Sequence, residues 1–296
     1  MRPKKPLKNA KHCLKMTEEG KLPGNIRWCV STLGCSEMNL AQAIELAQAF
    51  GVREIELRAL EDQLDLPTYL EATFETPENL KSILKQKEIE ITAFDTSLKL
   101  IGNTEETREA FLRFIPWSEA LQVPWLRVFD GGKLSTRPSE KDLEAAAQTT
   151  RWWQALRREN GWTTNIVMET HDAFCNAESC LAFQSQLETP CPILWDAHHT
   201  FHKGGEPINQ TWQALKPYIA HIHFKDSVRE ANKVNDYTLC LPGTGRFPVS
   251  ELIETVASSD YTGAICLEWE RKWQPWVPSL SEALGSLITA LSPTVD

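Results

Sequence analysis

Ile26-Arg27-Trp28-Cys29-Val30-Ser31, followed at once by Thr32-Leu33-Gly34-Cys35, is the stretch on which the fold turns. The first six residues make a largely apolar run of the length of a strand buried on both faces, as in a parallel sheet. The turn after it separates two architectures. An open dinucleotide-binding sheet places Gly-x-Gly-x-x-Gly here, whereas Thr32 to Cys35 offer a single glycine.

Seven similar runs follow: Glu54–Leu57, Ile89–Phe94, Trp125–Phe129, Asn165–Met168, Pro192–Trp195, Ile219–Phe224 and Ala264–Leu267. Helical patterns separate them. Leu40, Ile44, Ala47 and Phe50 share one face, with Asn39 placed to cap and Gly51 to stop. Residues 105–121 and 139–159 are amphipathic with charged outer faces. Weaker patterns lie around Leu215 and over Val249–Val256, and Pro278-Ser279-Leu280 open a last helix to about Ala290. Eight strand–helix repeats in roughly 270 residues match the usual size of a (β/α)8 barrel. The sequence therefore predicts an α/β fold, a single (β/α)8 TIM barrel over residues 25–296, preceded by a basic extension over 1–24.

Charge supports that division. Residues 1–21 hold seven Lys/Arg against Glu18 and Glu19, a net of +5 in a chain whose total is −9. The barrel region is thus strongly acidic and would repel a phosphate backbone, which argues against nucleic acid as a partner. The basic start lacks the apolar core of a secretion signal and reads as a poorly ordered, solvated tail. No apolar run approaches the ~18 residues a membrane span needs. The eight cysteines form no C-x-x-C pair, so neither a disulfide framework nor a thiolate zinc motif is expected from their spacing. A reducing cytoplasm is the expected compartment.

In a parallel barrel, reactive side chains stand at the C-terminal ends of the strands. The fifth run ends in Glu169-Thr170-His171, the sixth in Asp196-Ala197-His198-His199, the seventh in His223-Phe224-Lys225-Asp226 and the eighth in Glu268-Trp269-Glu270. The first four end more blandly, in Ser31, Arg58, Asp95 and Asp130. Glu169, Asp196, His223 and Glu268 would converge on one point. Three carboxylates meeting in a low-dielectric mouth repel one another or take up protons unless a cation binds. Three oxygen donors and one imidazole suit Mn²⁺ best, with Mg²⁺, Co²⁺ or Zn²⁺ also able to fit.

This pattern resembles the xylose isomerase-like TIM barrel superfamily, the sugar phosphate isomerase/epimerase group. Glu-Thr-His (169–171), Asp-x-x-His (196–199), His-x-His-x-Lys-Asp (221–226), Leu-Pro-Gly-Thr-Gly (241–245) and Leu-Glu-Trp-Glu (267–270) carry the resemblance. It implies one divalent metal on Glu169, Asp196, His223 and Glu268, and substrate oxygens contacted by His199 and Arg229. The implied partner is a small sugar or keto-polyol, and a homo-oligomer is compatible with the sequence.

Moving a stereocentre or a carbonyl along a sugar starts with loss of a proton beside C=O. A metal polarises that carbonyl and neutralises the enediolate, while two carboxylates take and return the proton. Glu169 and Glu268 are the expected catalytic pair. The alternative outcome is that of a lyase resembling inosose dehydratase, which expels a β-hydroxyl from the same intermediate. A non-catalytic sugar-binding barrel is a remoter reading. The superfamily's three-zinc nuclease branch is excluded, because no histidine falls between His12 and His171 and Asp236-Tyr237-Thr238 lacks the needed one.

Supporting roles are expected around this centre. His171 could orient Glu169, and His198 and Glu270 could brace the ligands from behind. Lys225 could meet an anionic substrate group or pair with Asp226 or another neighbour. Trp269 and Trp273 are expected to stack on the C–H face of a sugar, with packing as the plainer alternative. His221 points deeper into the barrel than His223 and reads as structural.

Overall fold

Cys29 lies in register with Cys266 across neighbouring parallel strands, and that pairing closes the barrel. In this computed structural model the described residues are 22, 26–134, 137–231 and 236–292. The parallel strands are β1 (Arg27–Ser31), β2 (Glu54–Leu57), β3 (Glu90–Ile101), β4 (Trp125–Gly131), β5 (Asn165–Glu169), β6 (Ile193–Asp196), β7 (Ile219–Phe224) and β10 (Ala264–Leu267). Two short antiparallel strands, β8 (Ser227–Arg229) and β9 (Tyr237–Leu239), form a hairpin over the mouth. The expected basic extension falls outside the described residues except for Leu22, which packs into the core.

All eight expected barrel strands form. One runs longer than its apolar pattern: β3 continues beyond Phe94 to Ile101, and its second half pairs Lys99 with Phe129 and Ile101 with Gly131. The helix expected over 105–121 is two, Glu105–Leu112 and Ile115–Leu121. Pro116 explains the break, since its ring has no N–H to give and clashes with the carbonyl four residues back, that of Leu112. Asn39 caps the first long helix, with Gln42 completing the box. Two helices at Leu66–Phe74 and Pro77–Lys87 start behind Asp65 and Thr76, each with proline in the first turn.

Outward-facing strand residues such as Ile55, Leu126, Ile193 and Ile222 pack beneath the helices in one continuous core. The inward face is different. It carries Glu56, Arg127, His221 and other buried charged or polar groups, so the barrel interior holds a polar network that positions the site.

Candidate metal centre

Glu169 ends β5, Asp196 ends β6, His223 is the next-to-last residue of β7 and Glu268 follows β10. One donor atom from each lies within 4.8 Å of the others, and all four side chains are buried. The imidazole Nδ1 of His223 sits 3.4 Å from Glu268 Oε2 and 3.9 Å from Glu169 Oε1, and among the described residues it has no hydrogen-bond partner. Glu169 Oε2 also has none, although Arg127 Nε is 3.4 Å away. Unsatisfied donor atoms gathered at one buried point are costly unless something binds there. The set, three carboxylates and a ring nitrogen, fits a divalent ion.

The other edge of the His223 ring is held by a residue that the strand-end reading passed over. Glu56 Oε2 accepts from His223 Nε2 at 2.8 Å and from His221 Nε2 at 3.0 Å. A proton on Nε2 leaves Nδ1 with its lone pair for a metal. The signal was present in Glu54-Ile55-Glu56-Leu57-Arg58, where charge alternates with period two along a strand covered by helices. Such charges can only face the barrel interior. Asp95 and Arg127 extend the same layer, with Arg127 Nε 3.6 Å from Asp95 Oδ1 and its guanidinium 4.0 Å from the Phe129 ring centre.

Lys225 is wholly enclosed. Its ammonium donates to Asp196 Oδ2 at 2.6 Å and Glu268 Oε2 at 2.5 Å, and lies 2.8 Å from Glu270 Oε1. Its partners are these three carboxylates, not Asp226. Asp226 accepts backbone N–H groups instead: Ser227 and Phe247 at Oδ1, Gly243 and Gly245 at Oδ2. It thereby shapes the Leu-Pro-Gly-Thr-Gly loop. A Cβ on Gly245 would meet Asp226 Oδ1 at 2.1 Å, which accounts for the second glycine. Asp130 plays the same part at the end of β4, accepting from the backbone of Asp172 and Phe174.

His199 lies beside the ligands. Its backbone N–H donates to Asp196 Oδ1, while ring Nδ1 is 3.1 Å from the Thr170 carbonyl and 3.0 Å from Asp196 Oδ2. Burial, with Lys203 and Lys225 nearby, holds this imidazole well below its ordinary pKa and therefore neutral. His198 turns toward the hairpin, bonding Ser227 Oγ at 2.7 Å and lying edge-on to Tyr237. His171 stands edge-on to His199, and its Nδ1 is 3.0 Å from Asp172 Oδ1. Its close carboxylate partner is thus Asp172, where the sequence suggested Glu169.

Three expected substrate contacts are placed differently from the ligands. Trp269 is fully buried in the apolar core, its indole N–H donating to the Pro278 carbonyl at 2.8 Å. The stacking expectation for it gives way to packing, because the indole has no exposed face. Arg229 is exposed on β8. Trp273 is 47% exposed on the loop after β10, with the Lys272 ammonium 5.8 Å from its ring.

The two expected proton-transfer carboxylates sit in unequal surroundings. Burial and the facing Glu268 carboxylate push the Glu169 carboxyl up. Burial acts on Glu268 in the same direction, but Lys225 and His223 outweigh it and hold the group below the usual carboxylate range. Without an ion, the two carboxyl groups thus differ in proton affinity.

Residues 44–290 match the model of the xylose isomerase-like TIM barrel family, so the chain belongs to that family. A 3-dehydroshikimate dehydratase of Bacillus anthracis is 26% identical over 215 residues, covering 66% of this chain and 74% of that protein. Among solved structures, the probable 3-DHS dehydratase AsbF of Bacillus anthracis superposes with a TM-score of 0.71 at 20% identity, covering 91% of this chain and 100% of AsbF. The zinc-bound IolI protein gives 0.69 at 15% identity, with 90% and 96% covered. The 3-keto-D-glucoside 4-epimerase YcjR of E. coli gives 0.65 at 14%, with 89% and 99% covered. No described helix is long and apolar enough to cross a membrane.

Proposed function

We propose that this chain is a divalent-metal-dependent enzyme that removes a proton beside the carbonyl of a small sugar or keto-polyol, with isomerisation or epimerisation as the outcome. The observation that carries this reading is the convergence of Glu169 and Glu268, together with Asp196 and His223, on one buried point at the strand ends. Those four residues would hold the ion, Mn²⁺ suiting the donors best and Mg²⁺, Co²⁺ or Zn²⁺ also able to fit. When bound, the ion supplies polarisation of the carbonyl and neutralisation of the negative charge that develops.

The chain's own groups do the rest. One of Glu169 and Glu268 takes the proton and the other supplies one from the opposite side. His199, neutral and fixed at Nδ1, hydrogen-bonds a substrate oxygen. Arg127 offsets the charge of Glu169 from below, and Lys225 offsets that of Asp196 and Glu268. Arg229 and Trp273, both on mouth loops, are proposed to reach the substrate's distal end.

A second reading has specific support. The 26% identical relative is named as a dehydratase, and the same proton abstraction followed by loss of a β-hydroxyl, as water, would be lyase chemistry. The seven described cysteines are free thiols, which suits a reducing cytoplasm.

The experiment is turnover in D2O with a panel of ketoses, keto-inositols, 3-keto-glycosides and 3-dehydroshikimate. Deuterium should enter the carbon beside the carbonyl, and a new ultraviolet-absorbing dehydrated product, an enone from a saturated keto-polyol or an aromatic ring from 3-dehydroshikimate, would select the lyase. Glu169→Gln and Glu268→Gln should each slow turnover by about 10²–10⁴-fold. Turnover without solvent deuterium, together with tolerance of both substitutions, would overturn the proposal.

A further inference from the structure

Below the mouth, the barrel interior holds a second set of donors, of which only Glu56 also serves the site above. Cys29 of β1, Glu56 of β2, His221 of β7 and Cys266 of β10 come from four strands that follow one another round the barrel. One donor atom from each lies within 4.8 Å of the other three. None of the four is more than 1% exposed. We infer that they form a separate structural metal site, taking Zn²⁺ in a tetrahedral shell of two thiolates, one imidazole and one carboxylate.

Geometry and donor chemistry support it. Tetrahedral Zn²⁺ with bonds near 2.0–2.3 Å sets donor separations of about 3.3–3.8 Å. His221 Nε2 and Glu56 Oε2 are already 3.0 Å apart, and Cys29 and Cys266 face one another in register. The second oxygen of Glu56, Oε1, is buried with no hydrogen-bond partner among the described residues, a standing cost that an ion removes. Thiolates favour Zn²⁺ over the Mn²⁺ or Mg²⁺ that an oxygen-rich site accepts. Glu56 could therefore serve both centres, facing the inner ion while accepting from the back of His223.

Binding moves the His221 proton from Nε2 to Nδ1, releases two thiol protons to solvent and sets two thiolates, the freed imidazole nitrogen and a carboxylate around the dication. The competing account is that the thiols are small apolar fillers, with Cys29 Sγ merely 3.2 Å from Thr92 Oγ1. Because the cluster is enclosed, the ion must enter as the barrel closes.

The test is to produce the full chain in zinc-depleted medium supplemented with cobalt. A near-ultraviolet thiolate-to-cobalt charge-transfer band is expected. Cys29→Ala with Cys266→Ala should abolish the band and remove one equivalent of cobalt. Asp196→Ala should also remove one equivalent yet keep the band, since the mouth ligands contain no sulfur. X-ray absorption on the unmodified cobalt protein gives an answer even where the double variant fails to fold, with sulfur expected at about 2.3 Å. A cobalt protein with no charge-transfer band and no sulfur neighbour overturns the inference, as does a band that survives in the double variant.

Discussion

His223 and Glu56 meet at 2.8 Å through Nε2 and Oε2, so the imidazole is anchored on one edge and presents Nδ1 to Glu169 and Glu268 on the other. The two residues are 167 positions apart in the chain and come together across the inside of the barrel. The proton on Nε2, the orientation of the ring and the availability of Nδ1 all follow from this one contact. Glu56→Gln weakens the acceptor while keeping the shape. Metal affinity at the mouth should fall about 10–100-fold, as for other outer partners of a ligating histidine. Titration against a competing chelator measures this, and an unchanged affinity would remove Glu56 from the site.

Proton competition for His223 should make metal binding pH-dependent. Burial opposes the imidazolium, but Glu56 and Glu268 prevail and hold it well above the ordinary range. An ion at Nδ1 must displace that proton, so apparent affinity should rise about tenfold per pH unit while the group is protonated. Stability of the metal-free protein runs the other way. The contribution of a raised imidazole is complete below the unfolded value of about 6.5 and is lost as pH rises through the folded one. Chelator titrations and thermal melts across the same pH series check both signs.

Lys225 is the internal counter-charge for Asp196, Glu268 and Glu270. Replacing it by methionine leaves buried carboxylates unpaired, a loss that typically costs about 3–5 kcal/mol. Added Mn²⁺ should restore much of that stability, because the ion supplies positive charge to Asp196 and Glu268. Denaturant unfolding with and without metal measures the difference. Equal destabilisation in both conditions would count against a shared site.

Asp226 satisfies four backbone N–H groups, its neighbour Ser227 and three in the loop that carries Gly243 and Gly245. Asp226→Ala should cost about 3 kcal/mol or more, since each buried donor left alone costs about 1–3 kcal/mol. Hydrogen exchange should speed up at Gly243, Gly245 and Phe247. Protection retained at those amides would show that the loop holds its shape without the carboxylate.

Much of this molecule was legible in its sequence for a simple physical reason. Runs such as Ile219–Phe224 and Ala264–Leu267 are apolar on the face that helices cover, and each is followed directly by a polar strand end. That boundary pointed to Glu169, Asp196, His223 and Glu268 as a group. The interior layer was harder to see. Glu56 and Arg127 lie in the middle of strands, where a charge reads as a break in the pattern until the partner across the barrel is known. The hairpin of β8 and β9 was also missed, because its pairs, Ser227 with Leu239 and Arg229 with Tyr237, carry little apolar alternation. Trp269 misled because an indole beside an active-site carboxylate suits stacking and packing equally well in a string of letters.

The burial of Trp269 has a consequence of its own. Its Cβ comes within 3.0 Å of where a side chain on Gly34 would begin, and its indole is hooked to Pro278 at the threshold of the last helix, Leu280–Leu291. Glu268 is therefore braced from outside the barrel by a wedge that joins the chain's first strand–helix turn to its final helix. Substitutions along that seam, remote from the proposed ligands, would reach the Glu268 carboxylate as a change of aim. The seam offers a way to retune the site without altering a single residue inside it.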